Sequence, residues 1–204
     1  MTSAPLVGLP RTKRAMDIAI SLAVMPLLLP VLALCAIAIR LDSPGPILFR
    51  QQRTGMHGVR FGMYKFRTMV ENAEELKASL AHLNIMPPPD FKIIDDPRIT
   101  RVGKFLRKTS LDETPQIFNV LRGEMSLVGP RPTSFAASTY QLWHAERLEI
   151  APGITGLWQV RGRNESTFDE RLRLDVEYIG KRSVLYDLRI MLETVGSVLN
   201  RSGE

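Results

Sequence analysis

Cysteine is almost missing from this chain: Cys35 stands alone, which excludes an intrachain disulfide and any metal cluster built from cysteine. Histidine is scarce too. His57, His82 and His144 lie far apart, with no spacing that would hold zinc. Aromatic residues make up only 7% of the sequence and form no stacking run, and no base-reading motif is present, so a nucleic-acid binder has little to work with. Internal repeats and low-complexity tracts are absent.

What is present is basic charge. Over 204 residues the formal net charge is +6, a balance that suits a phosphorylated substrate or an anionic membrane surface. The length fits one domain, or one domain with an appendage. The appendage is visible as Ile18 to Ile39, an uncharged apolar run of about the ~20 residues that cross a bilayer. Arg40 follows it directly, with no small-residue cleavage site, so a signal peptide fits poorly. Arg11, Lys13 and Arg14 precede the run, and Arg40, Arg50 and Arg53 follow it. A straight span would leave one basic cluster on the wrong side. Both are satisfied if the segment enters and leaves by the same face, and Pro26 and Pro30 supply a means of bending it.

Downstream, Ile47-Leu48-Phe49 and Phe61 to Phe66 read as strands of a hairpin around Thr54 to Gly58. Glu71 to Leu83 has helical periodicity, ended by Met86-Pro87-Pro88-Pro89-Asp90. Arg98, Arg101, Lys104, Arg107 and Lys108 recur at three- and four-residue spacing and predict a helix with a basic stripe. Ser134 to Ile150 reads as a helix, Leu157 to Val160 as a short strand, and Phe168 to Lys181 and Leu185 to Leu199 as amphipathic helices.

The chemistry concentrates at Ser110-Leu111-Asp112-Glu113-Thr114-Pro115-Gln116. Two adjacent carboxylates stand before a proline suited to the first turn of a helix. Asp112 could cap that helix, with Glu113 an ordinary first-turn acid. Alternatively, an ionised aspartate held there could be a nucleophile and its neighbour could hold a divalent cation. Arg131, between Pro130 and Pro132, has a stiff mount for a guanidinium fork on phosphate. Asp95-Asp96 reads more simply as a loop and cap.

With Lys65-Phe66-Arg67-Thr68-Met69, Leu111-Asp112-Glu113, Asn119 to Ser126 and Val128-Gly129-Pro130-Arg131-Pro132 in this order, the chain resembles the bacterial sugar transferases, monotopic polyprenyl-phosphate phosphoglycosyl transferases. Pro152 to Gly156 and Gly162-Arg163-Asn164 extend the likeness, which covers residues 11 to 203. The resemblance implies an α+β, mostly helical protein in its minimal catalytic form: a flexible N-terminus at 1–10, a re-entrant membrane helix at 11–41 kinked at Pro30, and a cytosolic catalytic domain at 42–204 with short strands and amphipathic interfacial helices. It implies transfer of a sugar 1-phosphate from a UDP-sugar to undecaprenyl phosphate with release of UMP, through an aspartyl-phosphosugar on Asp112, as a first membrane step of exopolysaccharide, capsule or glycoconjugate synthesis. Glu113 would bind Mg2+; Lys65, Arg67, Arg107, Arg131 and, most weakly, Arg163 would bind substrate. The location would be the cytoplasmic face of the bacterial inner membrane, among membrane lipid, with a homodimer left open. Many relatives place Ser before the kinking proline, where this chain has Leu29. The competing function is a non-catalytic, membrane-tethered assembly subunit of a polysaccharide pathway.

Overall fold

The computed structural model describes residues 10–85, 91, 93–134, 142–161 and 167–201. It is mostly helical, with two small sheets. Helix α1 (Arg11–Asp42) holds the whole apolar run, and its helical run is unbroken at Pro26 and Pro30. A helix of this length is roughly 48 Å long at 1.5 Å per residue. It is the one helix among the described residues long and apolar enough to cross a membrane. Leu27, Leu34 and Leu41, seven residues apart, are its most exposed apolar side chains.

Both ends of α1 are fastened to the same body. At the start, Lys13 pairs with Asp187 at 2.5 Å and Asp17 accepts from Ser126 Oγ at 2.8 Å. Arg14 donates to the carbonyls of Val120 and Leu121, satisfying oxygens at the end of a short helix. At the far end, Asp42 accepts from the Val102 amide at 3.0 Å, and Leu32, Cys35 and Ile39 pack with Phe66 and Leu106.

The predicted hairpin forms. Strands β1 (Leu48–Thr54) and β2 (Arg60–Phe66) pair antiparallel with Gln51 opposite Met63, and the turn between them puts His57 in left-handed backbone. The predicted helix over 71–83 is shorter: α2 (Ala73–Ser79) and then a separate 3-10 turn. Helix α3 (Arg101–Lys108) starts at a Thr100 cap whose hydroxyl accepts from the Gly103 amide. Arg101, Lys104 and Lys108 form the expected exposed stripe, but Arg98 turns inward and pairs with buried Asp96. After α4 (Ile117–Arg122), β3 (Ser126–Val128) pairs in parallel with β4 (Gly153–Thr155).

Two expectations need correction here. Leu157 to Val160 is not a strand but lies in α5 (Leu157–Arg161); the strand is the preceding Gly153–Thr155, drawn into register by β3. Gly156 ends it, and the Gln159 amide bonds the Gly156 carbonyl as the chain winds into the helix. Leu142–Glu149 is a 3-10 helix rather than an α-helix, and 135–141 lie outside the described residues. The last pair, α6 (Phe168–Lys181) and α7 (Val184–Arg201), falls where periodicity places it, with a Thr167–Glu170 capping box opening α6. Residues 1–9 and the proline cluster at 86–90 lie outside the description.

The core gathers Val120, Met125, Val128, Leu157, Tyr178 and Ile190, each no more than 1% exposed. Truncating one of these to alanine should cost about 2–5 kcal/mol. This core holds β3 rigid, and β3 leads straight into Gly129-Pro130-Arg131.

Candidate active site

Asp112 and Glu113 are not at a helix cap. They lie inside a 3-10 run, Leu111–Gln116, whose leading residue Ser110 makes no side-chain capping bond. The capping reading of Asp112 therefore loses its basis. Ser110 takes a left-handed conformation, φ 58°, between α3 and this run. That conformation costs a non-glycine residue roughly 1–2 kcal/mol and turns the acidic pair back toward β2.

There the two carboxylates meet different fates. Glu113 is held fast: Lys65 donates to its Oε1 at 2.6 Å, and Arg131 grips both oxygens, with Nη1 on Oε2 at 3.1 Å and Nη2 on Oε1. Burial alone would raise the Glu113 carboxyl, but Arg131 and Lys65 outweigh it and hold the group far below the usual carboxylate range. Burial pulls the Lys65 ammonium below its ordinary value, with Glu113 pulling back. Asp112 feels Lys65, Arg107 and Arg131 as cations, yet its carboxylate takes no side-chain hydrogen bond among the described residues. Burial raises its pKa above the ordinary aspartate value, with Glu113 adding to the rise and the three cations opposing it. Arg107 is aimed by a 2.9 Å bond from Nε to Thr68 Oγ1. The centre thus carries three cations against two acids, a surplus suited to a polyanionic ligand.

Three of the expected phosphate-side cations, Lys65, Arg107 and Arg131, come together here. Arg67 does not join them. Its guanidinium donates to the Ser43 carbonyl at 2.8 Å, to Ser43 Oγ at 3.0 Å and to the Pro44 carbonyl, and so pins the turn after α1. Arg163 lies outside the described residues. No group of three or more His, Cys, Asp or Glu that could hold a metal occurs among the described residues.

Beside Arg131 a cleft opens whose walls include Arg53, Arg147, Trp158, Phe168, Arg171 and Asp175. The Arg171 guanidinium lies 5.7 Å from the Trp158 ring and 5.9 Å from the Phe168 ring. Neither Trp158 nor Arg147, Arg171 and Asp175 is among the site residues expected from the sequence. The three charged residues sit in ordinary amphipathic context, and only the packing of the 3-10 segment on α6 brings them to Arg131.

A family model described as bacterial sugar transferase matches residues 9–201. A galactosyl transferase, CpsE, of Streptococcus agalactiae is 50% identical over 167 residues, covering 81% of this chain and 37% of that protein. An undecaprenyl-phosphate galactose phosphotransferase of Salmonella typhimurium is 44% identical over 196 residues, covering 94% and 41%. A UDP-glucose:undecaprenyl-phosphate glucose-1-phosphate transferase of Caulobacter vibrioides is 41% identical over 204 residues, covering 96% and 72%. The chain thus spans about two-fifths of the length of several relatives it matches.

Proposed function

Because the chain belongs to the bacterial sugar transferase family, we propose that it transfers a sugar 1-phosphate from a UDP-sugar to undecaprenyl phosphate, releasing UMP, with Asp112 as nucleophile. The observation that carries this reading is the contrast within the pair. Glu113 is committed to three hydrogen bonds, whereas the neighbouring Asp112 carboxylate is left open beneath three cations. An anion attacking a diphosphate meets charge repulsion, which Lys65, Arg107 and Arg131 would offset.

An Asp112 carboxylate oxygen attacks the phosphorus that bears the sugar. A new acyl-phosphate bond forms, and the bond to the bridging diphosphate oxygen breaks, with its electron pair leaving on UMP. An oxygen of undecaprenyl phosphate then attacks the same phosphorus. The acyl-phosphate bond breaks, the carboxylate is restored, and a polyprenyl diphosphate sugar departs. This order lets a water-soluble donor and a bilayer-held acceptor use one centre in turn. The cleft beside Arg131 suits the donor nucleoside, with ring faces at Trp158 and Phe168.

Mg2+ fits the donor set. Glu113 Oε2 takes a single bond from Arg131, so lone pairs remain for a hard cation that uses few carboxylates plus substrate oxygens. When bound, held by Glu113 with Asp112 adjacent, the ion would supply further positive charge to the diphosphate. Helix α1 would enter and leave by the cytoplasmic face of the membrane: Lys13 and Asp42, at its two ends, are both bonded to the same body, which a straight span would have to carry through the bilayer. The pathway served would be exopolysaccharide, capsule or glycoconjugate synthesis.

Purified protein with Mg2+, undecaprenyl phosphate and a panel of UDP-sugars should release UMP from one or a few donors. Mass spectrometry with donor alone should find a phosphosugar on Asp112. No release from any donor sinks the activity; release without an adduct at Asp112 sinks the covalent route.

A further inference from the structure

The loop that carries Arg131 has an unusual means of support. Pro130 and Pro132 have no amide hydrogens, so the loop is held chiefly through its carbonyls. The Pro130 carbonyl accepts from the Gly153 amide at 2.9 Å, and the Thr133 carbonyl accepts from the Thr54 amide at 2.9 Å. Between these two backbone bonds, the Arg131 carbonyl accepts from Arg147 Nη2. Arg147 is in turn paired with Asp175 on α6 at 2.7 Å, and the two side chains are only 6% and 2% exposed. A buried guanidinium without its counter-charge would be costly to keep there, so Asp175 fixes where Arg147 can sit by charge alone. Asp175 Oδ2 takes no hydrogen bond among the described residues, and burial raises its carboxyl to about 7, so the pair is fully ionised only above neutral pH. One turn further along the same face of α6, the Tyr178 hydroxyl shares its single proton between the Val128 carbonyl at 3.1 Å and Asp187 Oδ1 at 2.7 Å. Helix α6 therefore reaches β3 at Val128 and, through Arg147, the outgoing loop at Arg131 itself.

We propose that Arg147, anchored by Asp175, is a positioning residue that aims the Arg131 guanidinium at the transferring phosphoryl group by holding the Arg131 main-chain carbonyl. The inference rests on the reading of Arg131 as a diphosphate-side cation. A small rotation of this peptide is magnified along the arginine side chain, and a misplacement of about 1 Å at a reacting centre can cost about 100-fold in rate.

The test is a cycle in the full-length chain. Replacing the pair together, Arg147→Met with Asp175→Leu, keeps volume and leaves no lone buried charge, so the fold should survive. The kcat for UMP release should fall roughly 10- to 100-fold, while Arg147→Lys, which keeps the charge and one donor, should regain most of it. The decisive variant adds Arg131→Ala to the replaced pair. If Arg147 works through Arg131, it should be no slower than Arg131→Ala alone; losses that simply add would show a merely structural pair and overturn the proposal. The same cycle read by UDP affinity in calorimetry needs no turnover, and there too the losses should not add. A wild-type chain that binds UDP without releasing UMP from any donor overturns the catalytic reading, and the affinity cycle still decides this one. A wild-type chain without affinity for UDP overturns both.

Discussion

Two clusters of charge, one buried and one half-open to solvent, are built from the same kinds of residue. At the α1 side, Lys13, Asp17, Tyr178, Asp187 and Ser126 close on themselves: Lys13 pairs with Asp187, Tyr178 donates to Asp187 at 2.7 Å, and Ser126 Oγ and the Leu127 amide both serve Asp17. At the acidic pair, Lys65, Arg107 and Arg131 outnumber Asp112 and Glu113, and Asp112 is left without a hydrogen bond among the described residues. The first cluster has used up its partners and serves the fold. The second has kept an acid free and a cation in surplus, an arrangement with little value for stability that suits an incoming anion.

The sharpest way to break the comparison is at the free acid. Asp112→Asn should lower turnover by roughly 10^4-fold or more, the scale on which nucleophile removal is felt. Its effect on stability should have the opposite sign. Because the folded-state pKa of Asp112 is raised, its ionised form opposes folding at neutral pH, and that penalty fades as the pH falls through the folded pKa toward the unfolded value. Asp112→Asn should therefore melt slightly higher than wild type at pH 7, and the difference should shrink on acidification; thermal scans at several pH values check it. Activity should fail on the acid side at a higher pH than an ordinary aspartate would predict. Glu113, with its pKa held down, stays ionised throughout that range. Its contribution to stability begins to fall as the pH drops through the ordinary glutamate value, where the unfolded chain takes up a proton, and is gone only once the folded group protonates far below it.

The closed cluster should respond in reverse. Asp187→Ala strands Lys13 and the Tyr178 hydroxyl, and breaking a buried pair in this way costs about 3–5 kcal/mol. Denaturation in detergent should report that loss, while kcat per folded molecule stays within about threefold of wild type. A large drop in kcat with little change in stability would show that the two clusters are not separable. Glu113→Gln lies between: it removes the charge that holds Lys65 and Arg131, so roughly 100-fold slower turnover should accompany a measurable loss of stability.

The two clusters also differ in how far they could be read from sequence. Asp112, Glu113, Lys65 and Arg131 stand in short ordered motifs, and the fold brings them to one point. The closed cluster was invisible, because Lys13 and Asp187 are 174 positions apart and each looks like an ordinary helix charge. Arg67 shows the opposite failure: its motif placed it with substrate, but the carbonyls at the end of α1 claim its guanidinium. Periodicity found the ends of α6 and missed α5, since a short apolar stretch reads equally as strand or helix until β3 selects its partner.

The smallest expected effect concerns how the free acid is presented. Ser110, two residues before Asp112, stands in left-handed backbone, and its hydroxyl makes no capping bond that would repay the strain. Ser110→Gly removes a penalty of about 1–2 kcal/mol in the folded state but frees the unfolded chain by up to about 1 kcal/mol, so the two largely offset. Stability should move by less than about 1 kcal/mol. If the turn only reverses the chain, kcat should not change either, because glycine adopts the same angles. If instead the stiffness of that turn keeps Asp112 off its neighbours and on the phosphorus, the looser glycine should cost a few-fold in kcat with KM unchanged, and Ser110→Ala, which retains the stiffness, should cost less. We expect the second result, since strained backbone beside a reacting group persists where the surrounding structure holds it for use. Steady-state kinetics on the two variants would separate the alternatives.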